Sequence, residues 1–105
     1  MRKARTALTV AVALLTATTA SAEKNYGPGV TDAEIKIGQT MPYSGPLSAF
    51  GTIGRAQAAF FEMVNSKGGV NGRKIKLLSL DDGYSPPKTI EQTRKLVESD
   101  EVLLL

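Results

Sequence analysis

Glu34-Ile35-Lys36-Ile37-Gly38-Gln39-Thr40-Met41 alternates in polarity, which puts Ile35, Ile37 and Met41 on one face of an extended chain. The stretch reads as a first strand. Pro42-Tyr43-Ser44-Gly45-Pro46 ends it, because neither proline can donate to a strand ladder and Gly45 admits backbone angles that other residues avoid. Over residues 49–66 the period becomes helical: Ile53, Ala56, Phe60 and Val64 recur on one side, Phe61 and Met63 widen it, and Ser48 stands at the cap position. A helix of that length runs about 27 Å, enough to return along a strand. Gly68-Gly69 stops the helix, and Asn71-Gly72 turns the chain into Arg73-Lys74-Ile75-Lys76-Leu77-Leu78-Ser79-Leu80. There Ile75 and Leu77 share one face and Leu78 and Leu80 the other, so the later half is covered on both sides, while the opening lysines suit an exposed edge.

Outward from this unit, residues 23–32 with Tyr26-Gly27-Pro28-Gly29 form an extended lead-in. Asp81 to Ser85 forms a loop, and Ser85 before Pro86-Pro87 marks a capped helix start. Ile90, Leu96 and Val97 give that helix its apolar side through about Ser99, and Glu101 to Leu105 opens another apolar run. Some thirty residues with a long helix between two strands is the connection that parallel neighbours need. The expected fold class is therefore α/β, a parallel sheet flanked by helices. A last strand of four apolar residues would leave the sheet short, so the sequence reads as a truncated lobe.

The chain has 105 residues with 13 Lys or Arg against 10 Asp or Glu. Arg2, Lys3 and Arg5, a charge-free stretch from Thr6, and Ala20-Ser21-Ala22 follow the order of a cleavable export leader, residues 1–22, leaving residues 23–105 as the folded part. A membrane anchor is the plainer alternative, but the stretch is broken by threonines and ends at Glu23. Without the leader's three basic residues the charges balance and stay interspersed, which argues against a nucleic-acid partner. The chain contains no Cys and no His. Disulfides, thiolate zinc sites, a cysteine nucleophile and a Ser-His-Asp relay are thereby excluded within it, and no cofactor is expected.

In open α/β sheets the ligand site lies beyond the carboxyl ends of the strands. Here that selects residues 42–48 and 82–85. Ser44 can donate or accept a hydrogen bond, Tyr43 and Phe50 offer flat apolar surface, and amides near Ala49 and Phe50 would favour a carboxylate. Each has a plainer reading: Phe50 as filling at the helix start, Ser44 as a loop hydrogen-bonder, Tyr43 as packing. Asp81-Asp82 suggests a metal or a catalytic pair, yet adjacent strand residues point to opposite faces, and loop and cap hydrogen bonding is favoured. Tyr84 is a lesser candidate for the cleft rim, a plain loop position being the favoured reading. Gly45, Gly51 and Gly54 lack the spacing of a phosphate loop and read as turn and close-packing positions.

Four pieces in order carry a resemblance: Ile35-Lys36-Ile37-Gly38 leading to Tyr43-Ser44-Gly45-Pro46-Leu47, then Phe50-Gly51, then Asn65 to Arg73 with Lys67-Gly68-Gly69-Val70-Asn71-Gly72, then Asp81-Asp82-Gly83-Tyr84-Ser85-Pro86. They resemble the periplasmic leucine/isoleucine/valine-binding protein family, the type I substrate-binding proteins of ABC transporters. The resemblance implies the first lobe of a two-lobed receptor, monomeric when full length, that is a stock example of hinge closure on a small solute. It implies a periplasmic, non-enzymatic protein that hands an amino acid or related small carboxylate to an ABC permease in the inner membrane. Ser44 and Phe50, with Tyr43 beside them, map onto the ligand-lining loop. Alternatives are a sensing ectodomain built on the same lobes, a gene fragment without function, and an exported hydrolase, which would need a nucleophile elbow that is not seen.

Overall fold

A computed structural model describes residues 24–105. The proposed leader, residues 1–22, lies outside them. Strand β1 (Glu34–Met41) pairs in parallel with β2 (Lys74–Asp81), from Glu34 opposite Lys74 to Met41 opposite Asp81. Helix α1 (Gly51–Ser66) makes the crossover, and helix α2 (Pro86–Arg94) follows β2. A wider helical turn, Lys95–Ser99, continues α2 and closes with the Asp100 amide donating to the Lys95 carbonyl (2.9 Å). Beyond it Leu104 bridges Ile37 in parallel, with the Gly38 amide donating to the Leu104 carbonyl (2.9 Å), so a third strand begins on the free edge of β1. The expected parallel α/β sheet is observed.

The helices cover opposite faces. Ile75, Leu77 and Ser79 of β2 face Ala58, Phe61 and Asn65 of α1 around a cavity of about 290 Å³, whereas Gly38, one position out of phase in the register, lies against Leu96. Leu96 is fully buried. A side chain on Gly38 would press on Leu96 and Leu105, so the bare backbone there is what seats the turn after α2 on the sheet.

Two helical faces differ from the sequence expectation. On α1 the buried stripe is Gly51 and Gly54, continued by half-buried Ala58, Phe61 and Asn65, while Ile53, Phe60 and Met63 lie outward. Small residues decide this rotation: a methyl group on Gly54 would collide with the Tyr43 hydroxyl and Met41, so only this stripe lets the helix backbone approach the sheet. Asn65 locks it, its amide donating to the Ile75 carbonyl (2.8 Å) and its oxygen accepting from the Ile75 amide (2.7 Å). On α2 and its extension Leu96 turns inward, but Ile90 and Val97 are exposed.

Neither expected serine cap forms through its side chain. Ser48 opens a short 3-10 turn, Ser48–Phe50, and α1 starts after it. Ser85 holds the N-cap position of α2 with an extended backbone, but Pro86 and Pro87 occupy the first two helical positions and have no N–H to give. Its carbonyl instead accepts from the Thr89 amide (2.8 Å).

Candidate functional site at the carboxyl end of the sheet

The parallel sheet brings the β1–α1 loop and the β2–α2 loop side by side, and Asp81 ties them together. Its Oδ1 accepts from the amides of Tyr43 (2.9 Å), Ser44 (3.1 Å) and Gly83 (3.0 Å), and its Oδ2 accepts from the Ser44 hydroxyl (2.5 Å). Lys88 Nζ stands 3.5 Å from the same carboxylate. The Ser44 hydroxyl, the Gly83 and Ser44 amides and the Lys88 charge favour the ionised form and hold the Asp81 carboxyl far below the usual carboxylate range. The loops also touch directly: Gly45, at φ +83°, brings its Cα under the Gly83 carbonyl, where a side chain would crowd it.

Asp82 faces the other way, as strand alternation requires. It is buried, and its two oxygens accept from the Tyr84 amide (2.9 Å) and the Thr89 hydroxyl (2.8 Å). The neighbouring carboxylates are thus loop and helix-start struts rather than a catalytic pair. Among the described residues no group of three or more acidic side chains gathers to hold a metal ion. The Asp82 bond pins Tyr84 at φ +58°, a left-handed conformation that costs a non-glycine residue on the order of 1 kcal/mol.

Between the two loops lies an open cavity of about 340 Å³. Met41, Pro42, Phe50 and Ile53 contribute from the first strand, loop and helix start; Asp82 and Tyr84 contribute from the second loop, together with Thr40. Its walls are mostly apolar. Phe50, Ile53 and Tyr84 are more than half exposed, an arrangement that folding of these residues does not explain but that an apolar ligand would use.

The three residues singled out from the sequence part company here. Phe50 lines the cavity. Ser44 sits beside it and engages Asp81, not the cavity wall. Tyr43 turns under α1, where its hydroxyl meets that of Ser79 and its ring lies 5.8 Å from the Arg55 guanidinium. The Phe50 amide is not free for a carboxylate, since it donates to the Leu47 carbonyl (3.0 Å). Sequence reasoning missed Ile53, which it had assigned to the sheet-facing side of α1. The usable signal was its spacing from Phe50, since residues three apart at a helix start share a face.

Residues 34–105 match the sequence profile described as "Periplasmic binding protein". The chain belongs to the periplasmic binding protein family. Among relatives of this family, an amino acid binding protein of Pseudomonas aeruginosa is 36% identical over 74 residues, covering 68% of this chain and 19% of the relative. Leu/Ile/Val-binding protein homolog 7 of Brucella abortus is 35% identical over 77 residues, covering 72% of this chain and 19% of the relative. Among solved structures, a fatty acid ABC transporter substrate-binding protein from Thermomonospora curvata superposes with a TM-score of 0.64 at 35% identity, over 74% of this chain and 20% of that one. This chain therefore spans about a fifth of the length of these periplasmic binding proteins.

Proposed function

We propose that this chain supplies the first-lobe wall of a periplasmic solute-binding protein serving an ABC importer, and that the wall grips the apolar part of a small carboxylate such as a branched-chain amino acid. The observation that carries the reading is the cavity at the carboxyl end of the sheet, with Phe50, Ile53 and Tyr84 presenting apolar surface and no Lys or Arg among its lining residues. The one carboxylate there, Asp82, is buried and is turned onto the Tyr84 amide and the Thr89 hydroxyl of its own loop and helix start, away from a ligand ammonium. This wall suits a hydrocarbon chain, and the ligand's charged head is recognised by groups outside it. Relatives named for Leu/Ile/Val, for amino acids and for fatty acids support this division, because each of those solutes joins a carboxylate to a second moiety and most carry an apolar one. Ser44 and Tyr43 then act beside the ligand wall rather than on it. Export through residues 1–22 would deliver the protein to the periplasm, where the permease is its partner.

A thermal-shift series on the complete chain tests the proposal, with L-leucine, L-isoleucine, L-valine and decanoate as probes and glycine as the control without an apolar chain. A ligand at ten times its Kd stabilises by about 1.4 kcal/mol, worth roughly 6 °C in a chain of this size. Stabilisation by the probes and none by glycine is the expected result; equal response to all, or to none, contradicts the reading.

A further inference from the structure

We infer that Tyr84 is a specificity-determining residue, its ring pre-set by the buried Asp82 to close on the apolar chain of the solute; the inference rests on the binding role proposed above. Three observations converge on this side chain. Its backbone lies at φ +58° directly after Gly83 at φ +57°, where a second glycine would sit without strain. Its conformation is enforced by a carboxylate that is 7% exposed and braced at its other oxygen by the Thr89 hydroxyl. Its side chain nonetheless stays 66% exposed at the cavity, and among the described residues its hydroxyl enters no hydrogen bond.

A strained, braced and mostly uncovered aromatic adds little to the packing of these residues. Strain of this kind persists where surrounding groups over-determine it, and it gathers at ligand clamps. Phe50 and Ile53 enter the same cavity from the β1–α1 side, so a hydrocarbon chain lying there meets aromatic surface from both loops. Asp82 is then a positioning residue that acts through Tyr84, and Thr89 supports it one step further out.

Folding and binding respond in opposite senses to the same substitution, which gives a test that a purely structural tyrosine would fail. In the complete chain, Tyr84→Gly relieves the left-handed strain and removes the ring, so the melting temperature holds or rises while the affinity for L-leucine and decanoate, read by NMR titration, falls roughly fivefold. Tyr84→Asn, which also tolerates this backbone, gives the same loss. Tyr84→Phe keeps the ring and stays within about twofold of the parent. Unchanged affinity in Tyr84→Gly and Tyr84→Asn overturns this inference and leaves the binding role standing. A lowered melting temperature with lost binding in both overturns it in favour of a structural role. Absence of binding by the unsubstituted chain overturns the binding role and the inference with it.

Discussion

The two ends of the sheet are both laced with polar contacts, but they use them differently. At the amino end Arg73 stacks 5.2 Å over the Tyr26 ring, donates to the Tyr26 hydroxyl (2.6 Å) and to the Thr31 carbonyl (2.7 Å), and Tyr26 donates to Asp32 (2.5 Å). Lys24, Tyr26 and Arg73 are all turned onto the protein's own lead-in segment. At the carboxyl end Asp81 and Asp82 collect backbone amides and hydroxyls, and Phe50 and Tyr84 are left facing out. One end fastens the chain; the other clasps two loops to each other and presents Phe50 and Tyr84. Dense hydrogen bonding alone does not mark a site. A site shows itself where rigid bonding coexists with uncovered apolar surface.

Leu96→Ala has the largest expected effect, because it empties the one large side chain that is fully buried among the described residues and unseats the turn after α2 from β1. Denaturant unfolding is expected to show a loss of about 3 kcal/mol, felt at both ends alike; a loss below 1 kcal/mol would mean that the packing on Gly38 is not what joins them. Asp81→Asn separates the ends. Amide exchange is expected to quicken at Tyr43, Ser44 and Gly83 while the Ile75 amide held by Asn65 keeps its protection. Uniform loss of protection would erase the distinction between a loop clasp and the general core. Arg73→Ala is the converse, loosening the amino end by about 1 kcal/mol and leaving solute affinity at the cavity unchanged; a matching loss of affinity would show that the two ends are coupled.

The smallest effect is the dependence on pH. Asp81 and Asp32 both have carboxyls held below the ordinary value of 3.8, Asp81 chiefly by the Ser44 hydroxyl and Asp32 chiefly by the Tyr26 hydroxyl and then Lys24. A depressed folded-state value means that the stabilisation is complete above the unfolded-state value and fades as pH falls through the folded one. Stability is therefore expected to hold with respect to both groups from neutrality down to about pH 5, and carboxyl 13C titration should place both midpoints under 3.8. A midpoint for Asp81 at or above 3.8 would remove the clasp from the account.

Much of the fold is legible in the residues. Alternation in Glu34–Met41 and Lys74–Asp81, a helix-length crossover and punctuation by Gly68-Gly69 and Asn71-Gly72 suffice for parallel pairing, since no short turn can join parallel neighbours. The rotation of α1 is not legible in the same way. That helix carries two apolar stripes, and periodicity favours the one with larger side chains, Ile53 and Phe60. What decides is how closely the backbone can approach, which Gly51 and Gly54 permit and Asn65 then fixes. Of the candidate site, Phe50 was visible from its place after the first strand. The exchange of roles between the two tyrosines was open in the sequence and not decided by it. It depends on Tyr43 finding Ser79 beneath α1 and on Tyr84 being turned outward by Asp82, both pairings that only the folded chain creates.

The most direct measurement is methyl NMR of the complete chain as L-leucine is added, comparing Ile53 in the cavity with Ile90, equally uncovered on α2 and outside the cavity. Saturable shifts are expected at Ile53 and Met41 with Ile90 unmoved, and none with glycine. Equal movement of both isoleucines, or movement of Ile90 alone, would contradict a solute wall at the carboxyl end of the sheet.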